Sequence, residues 1–212
     1  MTEKKISLLL VDDHEVVRNG IRLMLSTVSG IEVTGEASNS REAMNLIRQQ
    51  DFDVALVDLG LPDKSGLELL KRMLSEKPEI AVLIFSMYEE EIYGIRAIKL
   101  GASGFLSKNS DLSTVVQAVN KVAGGGKFIS PAMSEKLVNV FRGEKSRQHE
   151  MLTNRELEVL RMLATGQPLT SIATTLNLSA STVTTYRSRI MDKTGLKNNV
   201  QLARYATENK LI

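Results

Sequence analysis

The stretch DVALVDLGLPDKSG carries four apolar residues, Val54, Ala55, Leu56 and Val57, that end on Asp58. An apolar run bounded by turn-forming residues reads as a short strand covered on both faces. A carboxylate at its end must be solvated, paired or bound to a cation, because burying an unpaired charge costs too much. Asp12 and Asp13 follow the first apolar run, ISLLLV, in the same way. Ser86 ends the fourth run, AVLIFS, and Lys108 follows the fifth, GFLSK. Carboxylates brought together raise one another's pKa values unless a cation sits among them. Mg²⁺ takes oxygen ligands and keeps several waters, which suits two carboxylates, a phosphoryl group and one backbone carbonyl. Gly60, two residues past Asp58, is placed to supply that carbonyl. A carboxylate that accepts a phosphoryl group needs a metal to neutralise charge, with a cation and a hydroxyl to hold the product oxygens. Taken singly, Asp12 and Asp13 fit a solvated loop, Ser86 a strand-end hydroxyl and Lys108 a surface lysine. Each ends a different strand, and that joint placement favours a site.

The elements that must position them alternate up to about residue 124. ISLLLV precedes HEVVRNGIRLMLST, IEVTGEA precedes SREAMNLIRQQ, DVALVD precedes GLELLKRMLSEK, AVLIFSM precedes EEEIYGIRAIKLG, and GFLSK precedes DLSTVVQAVNKVAGG. Five strand-helix units in succession imply a doubly wound α/β domain with a five-stranded parallel sheet. Ligands of such folds bind beyond the carboxyl ends of the strands, where the strand order reverses. Asp58 stands at that edge.

The alternation stops after AGGGKF. SPAMSEKLVNVF reads as one short helix, and RGEKSRQHE, residues 142–150, as a solvated linker with no apolar periodicity. From 151 on, the chain reads as helices only. LTNRELEVLRMLATG opens with Thr153 three residues before Glu156, a capping box, and closes on Gly166. The expected organisation is therefore a first domain over 1–124, a linker with a short helix over 125–150, and a small all-α domain over 151–212. Net charge divides the same way: residues 1–130 hold 15 Lys+Arg against 18 Asp+Glu, and residues 131–212 hold 12 against 7. The basic end suits a polyanionic partner. Cysteine is absent, which excludes disulfides, thiolate metal sites and a cysteine nucleophile. The N-terminal apolar run is six residues long and turns acidic at once, too short for a signal peptide or membrane span. A soluble cytoplasmic protein with no membrane partner is expected.

LTSIATTLNLSASTVTTYRSRIMDK reads as helix, tight turn, helix. In the second of these helices Val183, Tyr186 and Ile190 form an inward stripe. Ser181, Thr184, Thr185 and Ser188 face the other way, with Arg187 and Arg189 at the flanks. A helix entering the major groove needs short side chains to approach base edges and arginines to reach phosphates or guanine.

Through LLVDDHEVVRNGI, DVALVDLGLPDKSGLELL, LIFSMYEEE and LGASGFLSKN, residues 1–124 resemble the receiver domain of two-component response regulators. LTNRELEVLRMLATG with SIATTLNLSASTVTTYRSRIMDKTGL resembles the LuxR-type helix-turn-helix domain, so the whole chain looks like a NarL/FixJ-family regulator. The resemblance implies that Asp58 is the phosphoacceptor, that Asp12, Asp13, Asp58 and the Gly60 carbonyl hold Mg²⁺, and that Ser86 and Lys108 bind the phosphoryl oxygens. It implies Phe105 as the aromatic switch. It further implies a sensor histidine kinase, double-stranded promoter DNA and, after phosphorylation, a second copy of the chain as partners in a bacterial cytoplasm. Asn109 replaces the proline that often follows this lysine, so a trans bond is expected there. Leu169, Thr170, Ser171 and Thr184 replace more charged residues of the family, which predicts a shallower salt dependence. Two other readings compete. Haloacid dehalogenase hydrolases also phosphorylate a strand-end aspartate, but they place a second aspartate where this chain has Gly60, so no enzyme is expected. A regulator working without phosphorylation would be expected to have lost an acid or the lysine, and all are present.

Overall fold

The computed structural model describes residues 5–141 and 148–212, which fall into two compact units, Met1–Val138 and Asn139–Ile212. Of the segment expected to be a solvated linker, residues 142–147 lie outside the described residues. Residues Gln148–Met151 form a 3-10 turn, in which the backbone N–H of His149 donates to the Tyr205 hydroxyl at 3.1 Å.

In the first unit five strands, β1 (Ile6–Val11), β2 (Ile31–Ala37), β3 (Val54–Val57), β4 (Ala81–Ser86) and β5 (Gly104–Ser107), form one parallel sheet in the order β2-β1-β3-β4-β5. Between and after them run α1 (Glu15–Ser26), α2 (Ser40–Gln49), α3 (Gly66–Glu76), α4 (Glu90–Lys99), α5 (Leu112–Ala123) and α6 (Pro131–Phe141). All four residues of β3 are buried, as the unbroken apolar run demands of a strand covered on both faces. Leu8, Leu10, Leu56, Leu83 and Phe85 pack with Ile21 and Leu25 of α1 and with Val115, Val119 and Val122 of α5. Alternate residues Leu9, Ala55, Val82 and Ile84, equally buried, point to the opposite face, where α2 packs on β1, β2 and α3.

Helix starts follow local chemistry. Asn39, Ser65 and Asp111 accept backbone N–H bonds at the starts of α2, α3 and α5, which satisfies donors that have no partner within the helix. The start of α3 bears directly on the strand-end acid. A Cβ placed on Gly66 would lie 2.0 Å from the Asp58 carbonyl oxygen, so only glycine lets the helix begin this close to β3. The strand order reverses between β1 and β3, where Val11 pairs with Val57, so the two central strands end level and side by side.

The second unit contains α7 (Asn154–Ala164), α8 (Leu169–Thr175), α9 (Ala180–Thr194) and α10 (Asn199–Glu208) around Leu157, Leu160, Ile172, Val183, Ile190 and Leu202, all buried. The capping box is present: Glu156 N–H donates to Thr153 Oγ1 and Thr153 N–H to Glu156 Oε2. Lys193 Nζ reaches the same carboxylate at 2.7 Å, which ties α7 to the end of α9. Burial by itself would raise the Glu156 pKa, but the bonds from Lys193 and Thr153 hold it below the ordinary value of 4.5. Gly195 ends α9 in the left-handed region at φ 70°, which the absence of a Cβ permits without strain. No helix among the described residues is long and apolar enough to cross a membrane.

Two outcomes follow from this packing. Gly66→Ala must push α3 off the end of β3 and should cost about 1–3 kcal/mol in urea denaturation. Lys193→Met leaves the Glu156 carboxylate buried without its cation and should cost about 1–3 kcal/mol near neutral pH. Because folding depresses the Glu156 pKa, its contribution is present above the unfolded value and disappears as pH falls through the folded one. The difference between the two proteins should therefore shrink as denaturation is repeated below pH 4.5.

Candidate functional site

Level strand ends put Asp12 and Asp58 next to each other, with the Asp58 N–H donating to the Val11 carbonyl at 2.9 Å. β4 and β5 extend the same edge: Ser86 pairs with Ser107, and the Lys108 N–H donates to the Ser86 carbonyl at 3.0 Å. The side chains then converge. Lys108 Nζ lies 2.7 Å from Asp58 Oδ2 and 2.5 Å from Asp12 Oδ2. Ser86 Oγ donates to Asp58 Oδ1 at 2.7 Å, and the Leu59 N–H donates to the same oxygen at 2.7 Å. The Asp12, Asp58 and Lys108 side chains are 1%, 7% and 8% exposed, so this is a buried charge cluster rather than a wet loop. Burial works against the charge on Lys108, yet its close pairing with the Asp12 and Asp58 carboxylates holds its pKa above the ordinary lysine value.

One cation faces two buried acids here, and a third carboxylate is close. Asp13 joins Asp12, Asp58 and His14 in a group whose ligand atoms lie within 4.8 Å of one another. Asp12 Oδ2 has the Lys108 ion pair but no aligned hydrogen-bond donor among the described residues. Clustered carboxylate oxygens, with two of the acids buried, fit a hard divalent cation. Gly60 lies alongside, its Cβ position 3.6 Å from Asp58 Oδ2. Phe105 pairs with Ile84 across β4 and β5 and is buried. The peptide bond between Lys108 and Asn109 is trans, as are all the described peptide bonds.

Sequence reasoning passed over three residues at this edge. His14 stands at the N-cap position of α1 without a side-chain bond to the helix, and its Nδ1 lies 2.6 Å from Asp13 Oδ1 while its backbone N–H donates to Asp12 Oδ1 at 2.9 Å. An acid three residues before a helix start is a usable signal for that bond. Arg18 Nη1 donates to the Asp12 carbonyl at 2.6 Å, a contact that depends on how α1 is rotated over β1 and has no local signal. Gly66, pressed against the Asp58 carbonyl, is the third.

In the second unit the polar face of α9 is laid out as its periodicity requires. Ser181, Thr184, Thr185, Ser188 and Arg189 are exposed, while Val183 and Ile190 are fully buried. The expected inward stripe needs one correction: Tyr186 is half-buried, and Thr194 completes the buried line instead. At 100° per residue Tyr186 stands about 60° from Val183, whereas Ile190 and Thr194 stand within about 20° of it. The two arginines differ. Arg187 Nε donates to Asn199 Oδ1 at 3.0 Å and so ties α9 to α10, while Arg189 is free of such bonds among the described residues.

Comparison with known proteins agrees with both halves. Residues 8–120 match the response regulator receiver domain, and residues 150–206 match the bacterial regulatory proteins of the luxR family. The response regulator GacA of Pseudomonas aeruginosa is 34% identical over 211 residues, covering 98% of each chain. The chain is a NarL/FixJ-family response regulator. The fimbriae Z protein of Salmonella typhimurium is 35% identical to this regulator over 210 residues, covering 99% of this chain and 100% of the relative. RcsB from Salmonella enterica serovar Typhimurium, solved bound to promoter P1flhDC in the presence of phosphomimetic BeF3⁻, is 25% identical with a TM-score of 0.65. That alignment covers 97% of this regulator and 100% of the RcsB chain. The regulator thus joins a receiver unit to a LuxR-type DNA-binding unit.

The two arginines of α9 should separate in a stability measurement. Arg187→Ala loses the tie to Asn199 and should cost about 0.5–1.5 kcal/mol by thermal denaturation. Arg189→Ala should change stability by less than about 0.5 kcal/mol.

Proposed function

We propose that this regulator accepts a phosphoryl group on Asp58 from a sensor histidine kinase, and that the modification favours a dimer on two half-sites of promoter DNA in a bacterial cytoplasm. The observation that carries the reading is the Asp58 carboxylate, held by Ser86 and Lys108 at 2.7 Å each beside Asp12. As the bond from an Asp58 oxygen to phosphorus forms, the phosphorus–nitrogen bond of a phosphohistidine breaks, and the histidine leaves with the electron pair. Asp12, Asp13, Asp58 and the Gly60 carbonyl would hold Mg²⁺, which when bound neutralises charge on the incoming phosphoryl group. The Ser86 hydroxyl and the Lys108 ammonium, which already lie on the two Asp58 oxygens, then hold the product phosphoryl oxygens. Lys108 must loosen from Asp12 or Asp58 to do so, and Ser86 must turn from its carboxylate bond toward the phosphate. The new bond to the phosphate draws Ser86 at the end of β4 inward and lets Phe105 rotate, and a few kcal/mol of differential interaction suffices to shift a poised two-state element.

At the other end, Ser181, Thr184, Thr185 and Ser188 face base edges in the major groove. Arg189 contacts phosphate or guanine, and Arg187 anchors the helix that presents them. One recognition helix reads too few base pairs for useful discrimination, which is the physical reason for two copies on DNA. Functionally, residues 1–124 would form the phosphoacceptor domain, 125–150 a connection and 151–212 the DNA-binding domain.

Mass spectrometry after incubation with acetyl phosphate should find one phosphoryl group on Asp58, only with Mg²⁺ present, and none in Asp58→Asn. Equal modification of both proteins would refute the assignment. Ser86→Ala should still accept phosphate yet lose most of the increase in DNA affinity that phosphorylation produces, measured by titration on promoter duplex.

A further inference from the structure

The exposed face of α9 offers groups of unequal hydrogen-bonding character. Thr184 Oγ1 donates to the Ala180 carbonyl at 2.9 Å, and Thr185 Oγ1 donates to the Ser181 carbonyl at 3.0 Å. Each hydroxyl proton is thereby committed to the helix's own backbone, and the bond selects one rotamer of a β-branched side chain. What remains for a ligand is a lone pair, which accepts, and a γ-methyl group, which is apolar. Ser188 makes no such backbone bond among the described residues, so its hydroxyl is left free to donate or accept. Arg189 offers only donors, and Arg187 spends its Nε on Asn199.

These inventories can be set against the base edges. Guanine presents two acceptors in the major groove, O6 and N7, and a side chain without a free proton has nothing to give them. An A·T pair presents the adenine N6 amino group, a donor, and the thymine 5-methyl, an apolar surface. A hydroxyl lone pair beside a methyl group matches both at once. Cytosine N4 would satisfy the lone pair but leave the methyl without a partner. From this complementarity we infer that Thr184 and Thr185 select A·T pairs through the thymine methyl and the adenine amino group, and that Arg189 is the group on this face that selects guanine. The inference rests on the reading in which α9 enters the major groove, and it adds which bases are chosen there. A threonine placed against guanine would have to break its bond to the helix before it could donate, so the rejection is built into the free protein.

The test uses the full chain with acetyl phosphate and Mg²⁺. A pool of randomised duplexes supplies the preferred site, and each thymine of that site is then replaced in turn by uracil, which removes only the 5-methyl group. At the thymines facing Thr184 and Thr185 the replacement should weaken binding about fourfold each, the value of one buried methyl group. Thr185→Ser, which keeps the hydroxyl and loses the methyl, should lose that sensitivity at one thymine. Thr185→Val, which keeps a methyl and loses the lone pair, should retain it while discriminating less well between adenine and its replacements. Ser188→Ala and Arg189→Ala report on the underlying reading. If both change binding but uracil at every position leaves affinity within twofold, or the threonine variants alter preference at a guanine, the base assignment is overturned and groove entry by α9 stands. If no sequence is enriched, or no α9 substitution alters binding, the assignment falls together with the reading beneath it.

Discussion

A lysine ammonium between two buried aspartates is the constraint around which the first unit is organised. Asp12 and Asp58 end adjacent central strands at the point where strand order reverses, and neither carboxylate is more than slightly exposed. Two such charges would repel each other strongly in a poorly solvated setting. Lys108 meets both within 2.7 Å, and it can do so because β5 lies beyond β4 with its end level with Ser86. Placement of the cation therefore depends on the register of the whole sheet. The strands in turn depend on unbroken apolar runs that let helices cover both faces.

That arrangement is strained in charge more than in geometry. One lysine faces two carboxylates, with a third nearby. A buried cluster with surplus negative charge has affinity for whatever supplies positive charge, and its balance would change if a phosphoryl group and a divalent ion arrived together, as proposed. The same interactions that hold the resting edge, Lys108 and Ser86 on the two Asp58 oxygens, are those a phosphorylated aspartate would have to redistribute. A bistable element needs such competition, because groups that bond equally in both states shift nothing.

The second unit resolves an opposite problem. Its buried charge, Glu156, is fully matched by the capping box and by Lys193, which fixes α7 against the end of α9. A rigid mount would suit the helix whose outer face is proposed to meet DNA. Arg187, tied to Asn199, belongs to that mount, whereas Arg189 is left to the solvent face. Two residues apart in the chain, they serve separate ends because 200° of helix separates them.

Much of this was legible in the residue pattern. Apolar runs of four to six residues alternating with amphipathic segments point to a parallel sheet covered by helices, the arrangement that buries such runs. Residues at the ends of those runs must reach the carboxyl edge, so the meeting of Asp12, Asp58, Ser86 and Lys108 followed from the pattern without coordinates. The Thr153–Glu156 capping box and the stop at Gly166 are equally local, because they depend on a spacing of three residues and on one backbone angle. Other features were decided by the tertiary structure alone. That Lys108 touches both acids, that Arg18 reaches the Asp12 carbonyl, and that Gly66 rests on the carbonyl of Asp58 all depend on strand register and helix rotation. Tyr186, half-buried, marks a limit of a different kind: its angle of about 60° from Val183 was available from the helical repeat and was passed over. Local pattern chooses the elements and their ends, while contacts between elements depend on offsets of an ångström or two that no spacing in one segment records.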